Sequence, residues 1–429
     1  MIVAVRLRAG LVALCVTALA GCGGNVGSRV DSGSPLVPSG ARSAQRQQPQ
    51  TQPPVTVLYN FQGGSADGGY PYASLVADKS GALYGTTNGG GPADLGTVFK
   101  LTPSGSKYTE SILHSFGGTG DGSLPYGSLL LGSGGVLYGT TYSGGKYGDG
   151  CVYALTPSGK SYTESVVYSF GGSPDGGNPY AGLSQNAAGT LFGTTLYGGL
   201  NGFGAVFALT PSGGSYKESV LYSFDGGKDG ATPYGGILSA KSGVLYGTTF
   251  AGGENGDGTV YALTPSGKTY AESIVYSFAG GAKDGANPYA ALVASGDLVF
   301  GTTAAGGTAG DGTAFQVKLA KAKGKSKESV LHSFGGTGDA SQPYGALLLG
   351  ADDALYGATF AGGADGQGAI FELSKSGKTY AESVVASFPG YPGAANAYAG
   401  VIASSTGTLL GTTFGGGDEG YGTVFEVTP

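Results

Sequence analysis

The sequence predicts an all-β fold: a seven-bladed β-propeller of four-stranded antiparallel blades, closed by an N-terminal strand that completes the last blade. Three observations lead there. First, a phrase ending in phenylalanine returns at Phe61, Phe116, Phe170, Phe224, Phe278, Phe334 and Phe388, at intervals of 55, 54, 54, 54, 56 and 54 residues. Second, each interval holds four short phrases rich in Val, Ile, Leu, Tyr, Phe or Thr and bounded by Gly, Pro, Ser or Asp, which is the composition of strands. Third, the linkers are too short for crossovers, so successive strands run antiparallel. A meander with two apolar faces cannot bury itself alone, and stacking copies around an axis buries every face.

The interval from 117 to 170 shows the elements in order. The loop GGTGDGSLP leads into PYGSLLL, the innermost strand, and then a turn leads to LYGTT. A glycine-rich loop follows, then the third strand CVYALT, the turn PSGKSY and the outer strand ESVVYSF. Outer strands carry apolar residues on both faces, as expected of a sheet held between two others. Seven PY-type strands are marked by Tyr72, Tyr126, Tyr180, Tyr234, Tyr289, Tyr344 and Tyr398, and seven GTT-type strands end near Thr87, Thr141, Thr195, Thr249, Thr303, Thr359 and Thr413. The ends are offset: residues 55–61 are a fourth strand with no blade before it, and residues 422–429 are a third strand with no fourth after it. The first strand therefore completes the seventh blade and leaves no open edge. LYGTT, the GG pair, GTVFALTPSG-type phrases and SF at this spacing resemble the GloVer tandem repeat proteins, a bacterial group with a choice of surface anchor. The resemblance covers residues 55–429 and implies an exported, anchored repeat protein. It implies no reaction.

The N-terminus reads as an export signal. Arg6 and Arg8 precede the apolar run AGLVALCVTALA, which ends in LAGC at Cys22. That is too short and too early for a spanning helix. LAGC resembles the lipobox of bacterial lipoproteins, which assigns residues 1–21 to a signal peptide and makes Cys22 the acylated N-terminus. Residues 22–54, rich in Ser, Gln, Pro and Gly, form the anchor and a disordered tether. Residues 55–429 are the propeller. The expected location is the outer membrane or cell surface, with the membrane met through the N-terminal lipid only. Of three cysteines, Cys15 leaves with the signal and Cys22 carries lipid, so Cys151 has no partner for a disulfide. It stands where other repeats have Thr97, Ala205, Thr259 and Thr313, and reads as a small buried thiol.

Charged residues are 12% of the chain and the net charge is −6, which gives no footprint for nucleic acid. The loops before PY and after GTT should share one face, carrying Asp67, Asp121, Asp175, Asp229, Asp284 and Asp339 from the first loop. Asp94, Asp149, Asp257, Asp311, Asp365 and Asp418 come from the second. The opposite face receives Lys107, Lys160, Lys268 and Lys378, and a basic loop with Lys321, Lys323, Lys325 and Lys327. Hard cations want several oxygens, so Asp149, Asp257 and Asp311 are candidate calcium ligands. Asp-Gly recurring in nearly every blade reads first as turn chemistry, a fold requirement that needs no ion. The seven PY tyrosines are a candidate ligand ring at the channel mouth, for stacking on sugars or peptides, or else packing between blades. His114 and His332 read as outer-strand packing residues. No catalytic set, zinc-ligand spacing, phosphate loop or cofactor motif is present. The reading is a lipid-anchored binding or scaffold module for a polymer, peptide or protein. The alternatives are a propeller enzyme, such as a calcium-dependent hydrolase or polysaccharide lyase, and a docking component of an envelope assembly.

Overall fold

The computed structural model describes residues 54–429 apart from 106, 118–119, 268, 321–324, 336–337 and 378. The signal peptide, Cys22, all of the tether but Pro54, and Lys268, Lys321, Lys323 and Lys378 lie outside the described residues. The remainder is all-β, with seven antiparallel blades. In the second blade, Leu130–Leu131, Leu137–Thr141, Cys151–Ser158 and Ser161–Ser169 pair in sequence order from the axis outward. The seventh blade is completed by Thr56–Asn60, which pairs with Thr423–Val427.

Two features depart from the sequence reading. The innermost strand pairs over only two residues in six of the blades, for example Val76–Ala77 and Leu130–Leu131. The preceding PYAS-type residues bond across blades instead: Ser74 Oγ donates to the Gly400 carbonyl at 3.0 Å, and the Ser74 N–H donates to Ser128 Oγ at 3.0 Å. Near the axis the blades converge, and backbone groups there reach the next blade more easily than their own. The outer strand also contains a bulge. Val152 faces Tyr168 while Tyr153 faces Val166, so Val167 is skipped, and Leu58 and Leu113 are skipped in the same way. The extra residue shifts the two-residue period by one, which is why VVY does not alternate cleanly.

The glycine of LYGTT has a packing cause. Each pairs directly with a third-strand aromatic, as Gly85 with Phe99 and Gly139 with Tyr153, and that ring lies over the glycine where a Cβ would stand. The same aromatic receives the edge of the phenylalanine closing the previous blade. Phe61–Phe99, Phe116–Tyr153, Phe170–Phe207, Phe224–Tyr261, Phe278–Phe315, Phe334–Phe371 and Phe388–Phe425 all meet at 4.8–5.2 Å in T-shaped pairs. Phe61 belongs to the seventh blade and Phe99 to the first, so the ring is closed by the same contact that joins every other pair.

Candidate functional site

The face expected to carry the loops does so. Residues Gly68–Gly69 pair with Gly89–Gly90, and Gly122–Ser123 with Ser143–Gly144, tying the loop before PY to the loop after GTT. A backbone clasp then joins each blade to the next on this face. The N–H groups of Leu124, Asn178, Thr232, Asn287, Gln342, Asn396 and Tyr70 donate to the carbonyls of Leu95, Asp149, Phe203, Asp257, Asp311, Gln367 and Tyr421 at 2.6–2.9 Å. All seven donors sit at positive φ, between 49° and 60°. Asn tolerates that region best, and Asn178, Asn287 and Asn396 add a side-chain bond to the carbonyls of Tyr142, Phe250 and Phe360.

Asp149, Asp257 and Asp311 therefore stand at three separate junctions. Each carboxylate lies against a glycine of the next loop, Gly172, Gly280 or Gly335. The same position holds Leu95, Phe203, Gln367 and Tyr421 elsewhere, so it varies from blade to blade. Asp94, Asp365 and Asp418 sit one to three residues earlier and are not its equivalents.

The seven tyrosines do form a ring, and each packs on both neighbours: Tyr126–Tyr180, Tyr234–Tyr289 and Tyr344–Tyr398 stack, while the pairs between them meet edge-on or tilted. Tyr72, Tyr126, Tyr180, Tyr234, Tyr289, Tyr344 and Tyr398 meet in sequence at 4.6–5.3 Å, and Tyr398 returns to Tyr72 at 4.7 Å. Tyr289 Oη donates to Tyr180 Oη at 2.6 Å, past the intervening Tyr234. Tyr142, Phe250, Phe360 and Phe414 pack against this ring. The axial cavity, about 240 Å³, is lined by these phenols with Gly, Ala, Ser, Leu and Ile, and by no carboxylate or imidazole.

The residues missed by the sequence reading are six glutamates. Each first-loop aspartate accepts a bond from the outer strand of the previous blade: from Tyr59, His114, Tyr168, Tyr222, Tyr276 and His332, at 2.9–3.1 Å. It also accepts the N–H after the closing phenylalanine, as from Gly171 and Ala279. Beside each aspartate lies a glutamate of the next outer strand: Glu110, Glu164, Glu218, Glu272, Glu328 or Glu382, whose Oε1 is buried with no hydrogen-bond partner. Burial, then the neighbouring aspartate, pushes Glu110, Glu218, Glu272, Glu328 and Glu382 up to about 7, and Glu164 upward likewise.

The seventh junction tells what this unit is. There the three positions are Ala386, Gly393 and Val55, so phenol or imidazole, aspartate and glutamate are all replaced together. Ala386 and Val55 join an apolar cluster instead. That substitution pattern was the available signal, legible only once the outer strand of one blade was set beside the loop of the next.

Cys151 is fully buried, with Sγ 3.2 Å from Thr141 Oγ1, where Thr87 meets Thr97 at 2.7 Å. Burial pushes its thiol up to about 12, the state of an inert packing group.

The Gloeobacter/Verrucomicrobia repeat model matches residues 46–239 and 217–425, which is most of the sequence. The chain belongs to this repeat family. No curated protein matches the sequence. Among solved structures, a candidate 6-phosphogluconolactonase from Bacteroides uniformis is similar at 15% identity and a TM-score of 0.51, covering 79% of this chain and 88% of that one. Another candidate 6-phosphogluconolactonase, from Bacteroides fragilis, aligns at 14% identity and a TM-score of 0.46, covering 79% and 86%. At that identity the first likeness concerns the fold alone.

Proposed function

We propose that this protein is a lipid-anchored binding module of the cell envelope, taking an extended polymer on the loop face of its second and third blades. The observation that carries the reading is where apolar surface remains exposed. Of the eight exposed large apolar side chains among the described residues, four lie in the second loops of those two blades: Tyr147, Tyr197, Leu200 and Phe203, at 59%, 45%, 72% and 43%, whereas Tyr391, at 70%, stands in the loop after the sixth blade. Flat phenol and phenyl rings beside glycine-rich backbone suit the faces of sugar rings or a peptide strand. The first-loop aspartates, by contrast, are engaged in joining blades, and the axial cavity offers phenols, serine hydroxyls and backbone but no carboxylate or imidazole. The LAGC motif after an apolar run supports export and acylation at Cys22.

Two experiments test the two halves. Cys22→Ser should abolish palmitate incorporation and globomycin-sensitive processing, and labelled palmitate entering that variant would contradict the anchor. The protein should co-sediment with peptidoglycan sacculi, and Tyr147→Ser, Tyr197→Ser and Phe203→Ser together should leave it in the supernatant with an unchanged melting temperature. Co-sedimentation of the triple variant at the wild-type level would contradict the surface.

A further inference from the structure

We infer that His332, Asp339 and Glu382 form a site for one divalent transition-metal ion, of the zinc type, clamping the fifth blade to the sixth. His332 lies on the outer strand Lys327–Ser333, Asp339 on the loop that follows, and Glu382 on the outer strand Thr379–Ser387 of the next blade. One ligand atom of each lies within 4.8 Å of the others, and among the described residues this is the one such group of three. Zinc bonds of about 2.0–2.2 Å to nitrogen and oxygen fit inside that spread after small side-chain rotations.

Comparison with the sister junctions shows why this one differs. Asp67, Asp121, Asp175 and Asp284 each spend Oδ1 on the N–H of the next residue, at 2.6–2.7 Å. Asp339 does not: its Oδ1 is buried and has no hydrogen-bond partner, and neither has Glu382 Oε1. Two buried carboxylate oxygens thus remain without donors in this group of three, and the imidazole Nε2 lies 3.1 Å from the other Asp339 oxygen, Oδ2. Buried acceptors without donors are costly, and a cation satisfies both at once. His114 has the same imidazole at 3.1 Å from Asp121, but there Oδ1 is already engaged by Gly122. Asp229 also has an unpartnered Oδ1, but its outer-strand partner is the phenol Tyr222. Only the junction with both features converges. One nitrogen and two carboxylates with His332 at 23% exposure leave room for water in a fourth position, which suits zinc better than calcium or magnesium.

The natural repeats supply the variant. Tyrosine occupies the His332 position at four other junctions, so His332→Tyr keeps the bond to aspartate and removes the nitrogen ligand. The untagged full chain, stripped with chelator and dialysed against zinc, should retain one equivalent, and cobalt in its place should give a visible d–d absorption. His332→Tyr and Glu382→Gln should each lose that equivalent and the cobalt spectrum, while His114→Tyr retains both. Circular dichroism and melting of the apo variants show that they are folded. No stoichiometric zinc in the wild type, or wild-type binding by His332→Tyr, would overturn the proposal. So would loss of the equivalent in His114→Tyr.

Discussion

Replacing Asp175 with alanine removes the acceptor shared by three donors: Tyr168 Oη at 2.9 Å, the Gly176 N–H at 2.7 Å and the Gly171 N–H at 3.1 Å. Gly171 is exposed and water replaces its bond, so its loss costs little. Gly176 is buried, and an unsatisfied buried N–H costs about 1–3 kcal/mol. The bond from Tyr168 to a carboxylate is worth roughly 1.5–3 kcal/mol. Against these stands relief of Glu218, which no longer faces a second carboxylate. The net expectation is a loss of about 3 kcal/mol at neutral pH, or roughly 4 °C in Tm for a domain of this length. Scanning calorimetry of Asp175→Ala, Tyr168→Phe and the double variant completes a cycle. The coupling between the two should be about 1–2 kcal/mol. Additive losses, or a single-variant loss below about 0.5 kcal/mol, the ordinary size of a surface change, would refute the claim that this unit joins blades.

Three further outcomes follow from the same contacts. Phe61→Ala removes a fully buried ring from the closing strand and should cost about 3–5 kcal/mol, as much as Phe224→Ala inside the ring; an equilibrium melt in which Phe61→Ala is nearly silent would contradict closure. Thr232 is a β-branched residue at φ 49°, and Thr232→Asn should stabilise by roughly 1 kcal/mol by relieving that strain. A lower Tm would count against the clasp geometry. Glu110, Glu218, Glu272 and Glu328 are raised to about 7 in the folded state, above the usual 4.5, so the fold binds protons that the unfolded chain releases. Their contribution is complete below about pH 4.5 and is lost as pH rises through about 7. Discounted for solvent screening of half-exposed groups, it totals about 2 kcal/mol, and the four Gln substitutions should flatten Tm against pH over that window.

The blade count, the closing strand and the shared loop face were all legible because each is written as a repeat. The aromatic over Gly139 and the T-shaped Phe116–Tyr153 pair could be read only as strand composition, since cross-strand partners depend on register. The outer-strand bulge at Val167 disguised that register further. The tyrosine ring was legible as a ring, but not its stacking of Tyr126 on Tyr180 or the bond from Tyr289 to Tyr180 past Tyr234. The Glu218–Asp175–Tyr168 unit escaped the sequence reading because its members lie on two blades. Within one repeat, Glu218 looks like a solvated charge in KES. Within its own repeat His332 looks like a packing residue for the same reason: its partners are seven and fifty residues away.

The central claim, that ligand meets the loop face of the second and third blades, is tested most directly by site-specific photo-cross-linking in the native host. A benzophenone amino acid at Tyr197 should give a discrete adduct on irradiation, while the same probe at Ile274, exposed on an outer strand, should give none. An adduct from position 274 with none from 197 would contradict the account.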